Sequence, residues 1–341
     1  MIASREMSPG CRYASEMANP AAPTMAAPSF SDVLAARERI RPYLSPTALH
    51  RYPALDDLVN TETWVKHENH QPICAFKVRG GINLIAQLSG DERRRGVITA
   101  STGNHGQSIA YAARLFKVRA IVCVPEAANP VKVKSIRGLG AEIVTQGVDF
   151  DEARIHAAML AERDGYRFIH SGNEPHLIAG VATQALEILE QQPDIEVIIV
   201  PVGGGSGAAG TCIAANAINP KVEVIAVQSA EAPAAYRSWK ARRLIEDRMG
   251  TMAEGLATRV PFELPQQILW EWLDDFILVP DAEIRTAVRL MVETTRNLAE
   301  PAGASPLAAA LRLRDRLAGK RVALILSGSN ITPSQLRELL T

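Results

Sequence analysis

The chain of 341 residues carries 37 Lys plus Arg against 37 Asp plus Glu, a net charge of zero, with 47% hydrophobic and 22% charged residues. That balance gives no electrostatic basis for nucleic acid or an anionic membrane as partner, and the composition is that of a globular protein. No apolar run reaches the ~18–20 residues of a membrane span, and Cys11, Cys74, Cys123 and Cys212 are too scattered for a disulfide framework or a C-x-x-C pair. This usage fits a reducing, cytoplasmic setting.

At ~100–200 residues per domain the length predicts two or three folding units. Residues 1–30 place Met1, Met7, Met17 and Met25 among Ala, Pro and Ser without a hydrophobic period. They read as an unstructured tail, and they lack the ~7–15-residue apolar core of a secretory signal. Ordered structure is expected from Ser31-Asp32, a cap for the helix DVLAARERIRPYL. Short apolar runs then alternate with helical patterns. Strands are predicted at Thr63–Lys66, Val97–Ala100, Ala120–Val124, Ile143–Thr145, Val197–Val202, Val222–Val227 and Val322–Leu326. Helices are predicted at Gly106–Leu115, Val131–Leu139, Asp151–Arg163 and Leu177–Glu190, with Asn129-Pro130 as a cap and first helical residue. Such alternation indicates an α/β fold with mostly parallel sheets, in which function sits at the carboxyl ends of strands.

Four segments stand out at such ends. In Ala75-Phe76-Lys77-Val78-Arg79-Gly80-Gly81, Lys77 lies between small apolar residues and an apolar helix. It is either a solvated charge or, if desolvated, a source of neutral amine for a Schiff base. Ser101-Thr102-Gly103-Asn104-His105-Gly106-Gln107 follows the strand VITA. It is an ordinary capped turn or a loop suited to a carboxylate. The strongest glycine cluster, Gly203-Gly204-Gly205-Ser206-Gly207-Ala208-Ala209-Gly210, follows VIIVPV and opens a helix. It fits a single-phosphate cradle. Gly205, Gly207 and Gly210 also spell G-x-G-x-x-G, which keeps an NAD-dependent oxidoreductase open, but the next strand ends in Gln228-Ser229 rather than in the acid a ribose requires. Leu326-Ser327-Gly328-Ser329-Asn330 is by composition a turn.

Together the four segments resemble the fold-type II enzymes that use pyridoxal 5'-phosphate, and among these the threonine/serine dehydratases (ammonia-lyases) and serine racemase. The resemblance runs from about Asp32 to the C-terminus. It implies a tryptophan synthase β-like architecture of two open, twisted, mostly parallel sheets flanked by helices. A small domain, 97–172, would sit over a large cofactor-binding domain formed by 31–96 and 173–341, with closure on the substrate carboxylate. By the same resemblance Lys77 would hold the cofactor covalently, Phe76 would pack on its ring, and Asn104 would meet its phenolic oxygen. Gly203, Gly204, Gly205, Ser206 and Gly207 would cradle its phosphate, Ser327 would meet the pyridine nitrogen, and Glu300 would lie near the ring. Backbone N–H groups of the loop Ser101, Thr102, Gly103, Asn104 and His105 would bind the substrate carboxylate, those of Ser101, Thr102, Asn104 and His105 directly.

There are departures. Ala75 stands where the family has serine, and Ser329 where many members have glycine. Gln228 and Ala234 stand at the cation-ligand positions of some relatives, so no metal site is expected, and Glu231 and Glu254 nearby read as solvated charges. The implied activity is that of a carbon–oxygen lyase converting a 3-hydroxy amino acid (threonine, serine, hydroxyaspartate or a bulky aryl-serine) to a 2-oxo acid and ammonia. Lys77 would take the α-proton before β-elimination. A racemase using Thr102 as second base is the alternative within the fold. The resemblance also implies a homodimer or homotetramer. Because Thr341 ends before any C-terminal regulatory region, a catabolic role is expected. The substrate side chain is expected to meet Tyr236–Trp239, Met252–Ala257 or Pro261–Trp272.

Overall fold

Apolar runs buried on both faces make the central strands of this protein, seen in a computed structural model that describes residues 25–341. The Met1, Met7 and Met17 portion of the tail, and Cys11, lie outside the described residues. The first helix starts earlier than the sequence predicts, at Phe30. Ser29 caps it, its hydroxyl accepting from the Asp32 N–H while the Asp32 carboxylate accepts from the Ser29 N–H. The reciprocal box outcompetes the Ser31-Asp32 start because it satisfies two backbone donors at once.

Among the described residues ten strands form two sheets. The larger has the order β1 (Leu49–Arg51), β2 (Glu62–His67), β10 (Arg321–Leu326), β7 (Val197–Pro201), β8 (Glu223–Ser229) and β9 (Asp275–Val279). The smaller has the order β5 (Glu142–Thr145), β4 (Ala120–Val124), β3 (Val97–Ala100) and β6 (Arg167–Phe168). Every pairing is parallel except β1 with β2. Helices cover both faces of the large sheet, giving it two apolar layers: one holds Ile198, Val200 and Ala323, the other Val197, Ile199 and Leu324. An α/β fold with two mostly parallel sheets is therefore what the sequence folds into.

The three strands that sequence periodicity does not reveal, β1, β6 and β9, are all edge strands. Only a centrally placed parallel strand must be apolar throughout. Parallel pairing of β2, β10 and β7 brings their carboxyl ends to one side of the large sheet, with His67 opposite Leu326. The segments that follow these three strands meet there.

Candidate active site

The lysine segment is zipped to the segment after β10. The Phe76 N–H donates to Ser327 O at 3.0 Å and the Ser329 N–H to Cys74 O at 2.9 Å, around an Ala75–Gly328 bridge. This clamp places Lys77 at the first position of the helix Lys77–Ile85. The neighbouring helix Asn104–Leu115 approaches it closely, since Ser108 Oγ donates to Lys77 O at 2.6 Å. A Cβ at Gly81 would lie 2.3 Å from that hydroxyl, so only glycine fits.

Lys77 Nζ donates to Ser206 Oγ at 2.7 Å and to Ser171 O at 3.4 Å. Among the described residues it has no carboxylate partner, and burial pulls its pKa from 10.5 to about 8. A desolvated ammonium without a counter-ion gives up its proton readily. Lys77 can therefore supply a neutral amine near neutral pH.

Ser206 begins the helix Ser206–Ile218, and Gly205 before it has φ +88°. Among the described residues, the N–H groups of Gly203 to Gly207 find no acceptor in the chain. Side chains could not stand here: a Cβ on Gly203 would lie 2.2 Å from Gly255 O, and one on Gly204 would lie 2.0 Å from the Phe262 ring. Bare donors converging at a helix N-terminus, beside a lysine amine, suit a phosphate group.

The loop after β3 is organised differently. The Ser101 N–H donates to Cys123 O at 3.1 Å, extending the β3–β4 ladder, so it is not free for a substrate carboxylate as the resemblance implies. Ser101 acts through its hydroxyl instead, which accepts from the Gly103 N–H at 3.2 Å. Thr102, Asn104 and His105 keep their N–H groups unengaged among the described residues. The His105 ring is buried and shares 2.9 Å with Thr99 Oγ1, whose proton goes to Ile169 O. Nε2 is thus the donor, and Nδ1 finds no partner among the described residues. Burial, followed by the nearby charge of Lys77, holds this imidazole neutral, well below pKa 6.5.

The Asn104 amide sits in a chain of neutral donors. Asn330 Nδ2 donates to Asn104 Oδ1 at 2.7 Å and to Ile73 O at 2.8 Å, and Asn104 Nδ2 donates to Glu300 Oε1 at 2.7 Å. Burial raises the Glu300 pKa to about 7, against the pull of Lys132 and of the Asn104 bond. Gly328 completes this corner, since a Cβ there would lie 2.7 Å from Glu300 Oε1. Ser327 is buried beside it, and its hydroxyl bonds to nothing among the described residues.

Other features escape sequence reasoning. Lys66, Glu68, Arg79 and Glu187 form a buried, charge-balanced cluster. Lys132 carries no motif signal, while Asn330 and Phe262 lie in stretches the sequence marks without being assigned a role of their own. Glu254 is exposed, as expected of a solvated charge, and in addition pairs with Lys132 at 2.5 Å and accepts from Gln335. Glu231 is likewise engaged, accepting from the Asp281 N–H at 3.1 Å and from Ser229. Gln228 Oε1 caps the helix Ala234–Ala241 through the Tyr236 N–H. Among the described residues no group of three or more His, Cys, Asp or Glu side chains is disposed to hold a metal ion. Tyr236 and Trp239 pack on Phe276 in the core, leaving the Met252–Ala257 and Pro261–Trp272 stretches against the glycine loop.

Residues 40–328 match the pyridoxal-phosphate dependent enzyme family. The chain belongs to that family. Its cofactor is pyridoxal phosphate, and the glycine cradle beside Lys77 fits that group's phosphate. The dinucleotide alternative drawn from Gly205, Gly207 and Gly210 is thereby corrected.

Within this family the chain is 37% identical over 315 residues to an L-threonine ammonia-lyase of Thermotoga maritima, covering 92% of this chain and 78% of that one. It is 35% identical over 321 residues to a serine racemase of Dictyostelium discoideum, covering 93% and 99%. The biosynthetic L-threonine dehydratase of Escherichia coli is matched at 34%, and there the chain spans 57% of that relative's length. Among solved structures, the processed threonine deaminase isoform 2 of Solanum lycopersicum superposes with a TM-score of 0.87 at 30% identity, covering 91% and 90% of the two chains. The chain is thus a pyridoxal-phosphate enzyme of the threonine/serine ammonia-lyase group, which includes serine racemases. No helix among the described residues is long and apolar enough to cross a membrane.

Proposed function

We propose that this protein is an ammonia-lyase that converts a 3-hydroxy amino acid to a 2-oxo acid and ammonia. The observation that carries the reading is Lys77 Nζ at 2.7 Å from Ser206 Oγ, without a carboxylate partner among the described residues and drawn by burial to a pKa of about 8. In this reading Lys77 is the covalent anchor of the cofactor, and the N–H groups of Gly203, Gly204, Gly205, Ser206 and Gly207 hold its phosphate. Phe76 would pack on its ring, Asn104 and Glu300 would meet its phenolic side, and the Ser327 hydroxyl, unbonded among the described residues, would meet its nitrogen. Bound there, pyridoxal phosphate supplies an electron sink for charge developing at the substrate α-carbon.

The protein's own part is positioning and proton transfer. The N–H groups of Thr102, Asn104 and His105 hold the substrate carboxylate. The Lys77 amine, once the substrate's amino group has displaced it, takes the α-proton; the β-hydroxyl leaves with one proton as water, balancing the one removed, and the resulting enamine hydrolyses to the oxo acid and ammonium. Neutral His105 and the protonated form of Glu300 keep this region free of competing charge below about pH 7.

The test is 2-oxo acid formation by the holoenzyme from L-serine, L-threonine, 3-hydroxyaspartate and 3-phenylserine. Turnover of at least one is expected, and a cofactor-loaded protein that releases oxo acid from none of them overturns the reading.

One observation favours a second activity at the same site. The half-buried Thr102 makes no side-chain hydrogen bond among the described residues, so its hydroxyl is free to exchange a proton with the α-carbon. Chiral analysis of unreacted serine detects this racemisation directly, and retention of configuration excludes it.

A further inference from the structure

We propose that Phe262 is the wall that limits the size of the substrate's side chain, an assignment that rests on the ammonia-lyase reading for where the substrate lies. The two groups that receive Lys77 Nζ are Ser171 O and Ser206 Oγ. Beside each stands a glycine whose missing side chain is replaced by the same aromatic ring. A Cβ on Gly172, next to Ser171, would lie 2.3 Å from Phe262 Cδ2. A Cβ on Gly204, just before Gly205-Ser206, would lie 2.0 Å from Phe262 Cε2. One ring edge thus occupies the side-chain space of both glycines, in the two segments that receive the amine, and the ring is only half-buried, leaving part of its surface open.

The ring is held rather than mobile. Its edge-to-face neighbour is the His170 imidazole, with centroids 4.6 Å apart and planes at 82°. His170 is itself fixed, since its Nδ1 accepts from the N–H groups of Gly172 and Asn173 at 3.1 and 2.9 Å. Burial, with the charges of Arg154 and Lys77 adding to it, holds that imidazole at a pKa of about 4, so it stays neutral. On the other flank Asn173 Oδ1 accepts from the Leu264 N–H at 3.1 Å, and Phe262 O accepts from the Gln266 N–H at 3.0 Å. The segments on either side of the ring therefore move together. A preorganised apolar wall discriminates by volume, at about 10–200-fold per methylene. It admits the β-carbons of serine and threonine and excludes an aryl group, whose volume is the one Phe262 already occupies.

The experiment titrates holoenzyme with L-alanine and L-phenylalanine, which carry no leaving group, and reads Kd from the change in the cofactor's absorbance. Wild type is expected to bind alanine at least tenfold more tightly than phenylalanine. Phe262→Ala should narrow that ratio by tenfold or more. Phe262→Leu, which keeps an apolar side chain over both glycines, should fall between. Gly172→Ala supplies the converse: it should weaken alanine binding more than fivefold in wild type and less than twofold in the Phe262→Ala background, where its methyl group has room. A ratio unchanged within twofold in both Phe262 variants, or a Gly172→Ala effect indifferent to residue 262, overturns the assignment. If wild type forms no oxo acid from any 3-hydroxy amino acid, the ammonia-lyase reading fails, while these binding ratios still decide the role of Phe262.

Discussion

Lys77 and Arg79 stand at the start of one helix, and their surroundings have opposite chemistry. Arg79 is fully buried and donates to both carboxylate oxygens of Glu68 and of Glu187, at 2.6 to 2.8 Å, and to Thr183 Oγ1 at 3.1 Å. Lys66 adds a second cation, bonded to Glu187 at 2.7 Å and to Thr47 O at 2.8 Å. Burial works against the guanidinium charge, but the two carboxylates overcome it and hold the Arg79 pKa above its ordinary value. Lys77 is given a hydroxyl and a carbonyl and no anion, and its pKa falls. Reactivity here comes from withholding a counter-ion from one cation while the other is locked in place. The locked cation fixes the helix on which the reactive one is carried.

The sharpest way to break this comparison is to remove each cation in turn. Lys77→Ala should lower oxo-acid formation by about 10³-fold or more, since it removes both the covalent anchor and a general base that typically contributes about 10²–10⁴-fold. Its effect on folding should be small. Lys77→Met should leave the urea midpoint of the apoprotein at pH 7 unchanged or higher, because it deletes an amine whose charged form burial disfavours. The sign follows from the depressed pKa: the stability linked to Lys77 is full above 10.5 and lost as pH falls through about 8. Arg79→Ala should do the reverse, costing about 3–5 kcal/mol by stranding the buried Glu68 carboxylate and leaving Glu187 with Lys66 alone. If Lys77→Met destabilises the apoprotein as much as Arg79→Ala, the distinction between the two cations is lost.

How far this was legible in the sequence differs between the same two regions. The glycine loop, Lys77 and the segment after β10 announce themselves because each lies directly after an apolar run, where a local pattern is enough. The clamp on Arg79 does not, because Lys66 and Glu187 are 121 residues apart and nothing local marks either as buried. Phe262 falls inside the Pro261–Trp272 stretch expected near the substrate side chain, but the residue itself cannot be singled out from sequence, because its position is defined by side chains absent at Gly172 and Gly204. Ser101 shows the opposite failure. Its motif is conspicuous, yet strand pairing with Cys123 takes the N–H that the motif implies is free.

A third buried charge lies between the two extremes. Among the described residues Glu300 has no bonded cation and accepts from the Asn104 amide, and burial raises its pKa from 4.5 to about 7. A raised carboxyl pKa contributes stability that is present below about 4.5 and lost as pH rises through about 7. At about 1.4 kcal/mol per pKa unit this amounts to roughly 3 kcal/mol. Urea unfolding of the apoprotein between pH 4.5 and 7.5 should show that decline, and Glu300→Gln should remove it. Identical pH slopes in the two proteins would place the Glu300 carboxyl at its ordinary pKa and leave Lys77 as the one buried group tuned by a missing partner.

The smallest expected effect tests the neutral frame around the site. Asn330 ties Ile73 O, just upstream of the lysine segment, to Asn104 Oδ1, using one amide nitrogen and no charge. Neutral hydrogen bonds of this kind contribute about 1 kcal/mol each, against the several that a stranded buried charge costs. Asn330→Ala should therefore lower the unfolding free energy by about 1–2 kcal/mol and weaken cofactor retention by less than tenfold, measured by absorbance after dialysis. It should leave Lys77→Ala inactive and Arg79→Ala unstable by their own amounts, because neither cation bonds to Asn330 or Asn104. A loss as large as that of Arg79→Ala would mean that the amide chain, and not the ion cluster, fixes the start of the lysine helix. The two sides of Lys77 would then have exchanged roles: the charged cluster would be ordinary core, and the uncharged chain through Asn104 would be the clamp.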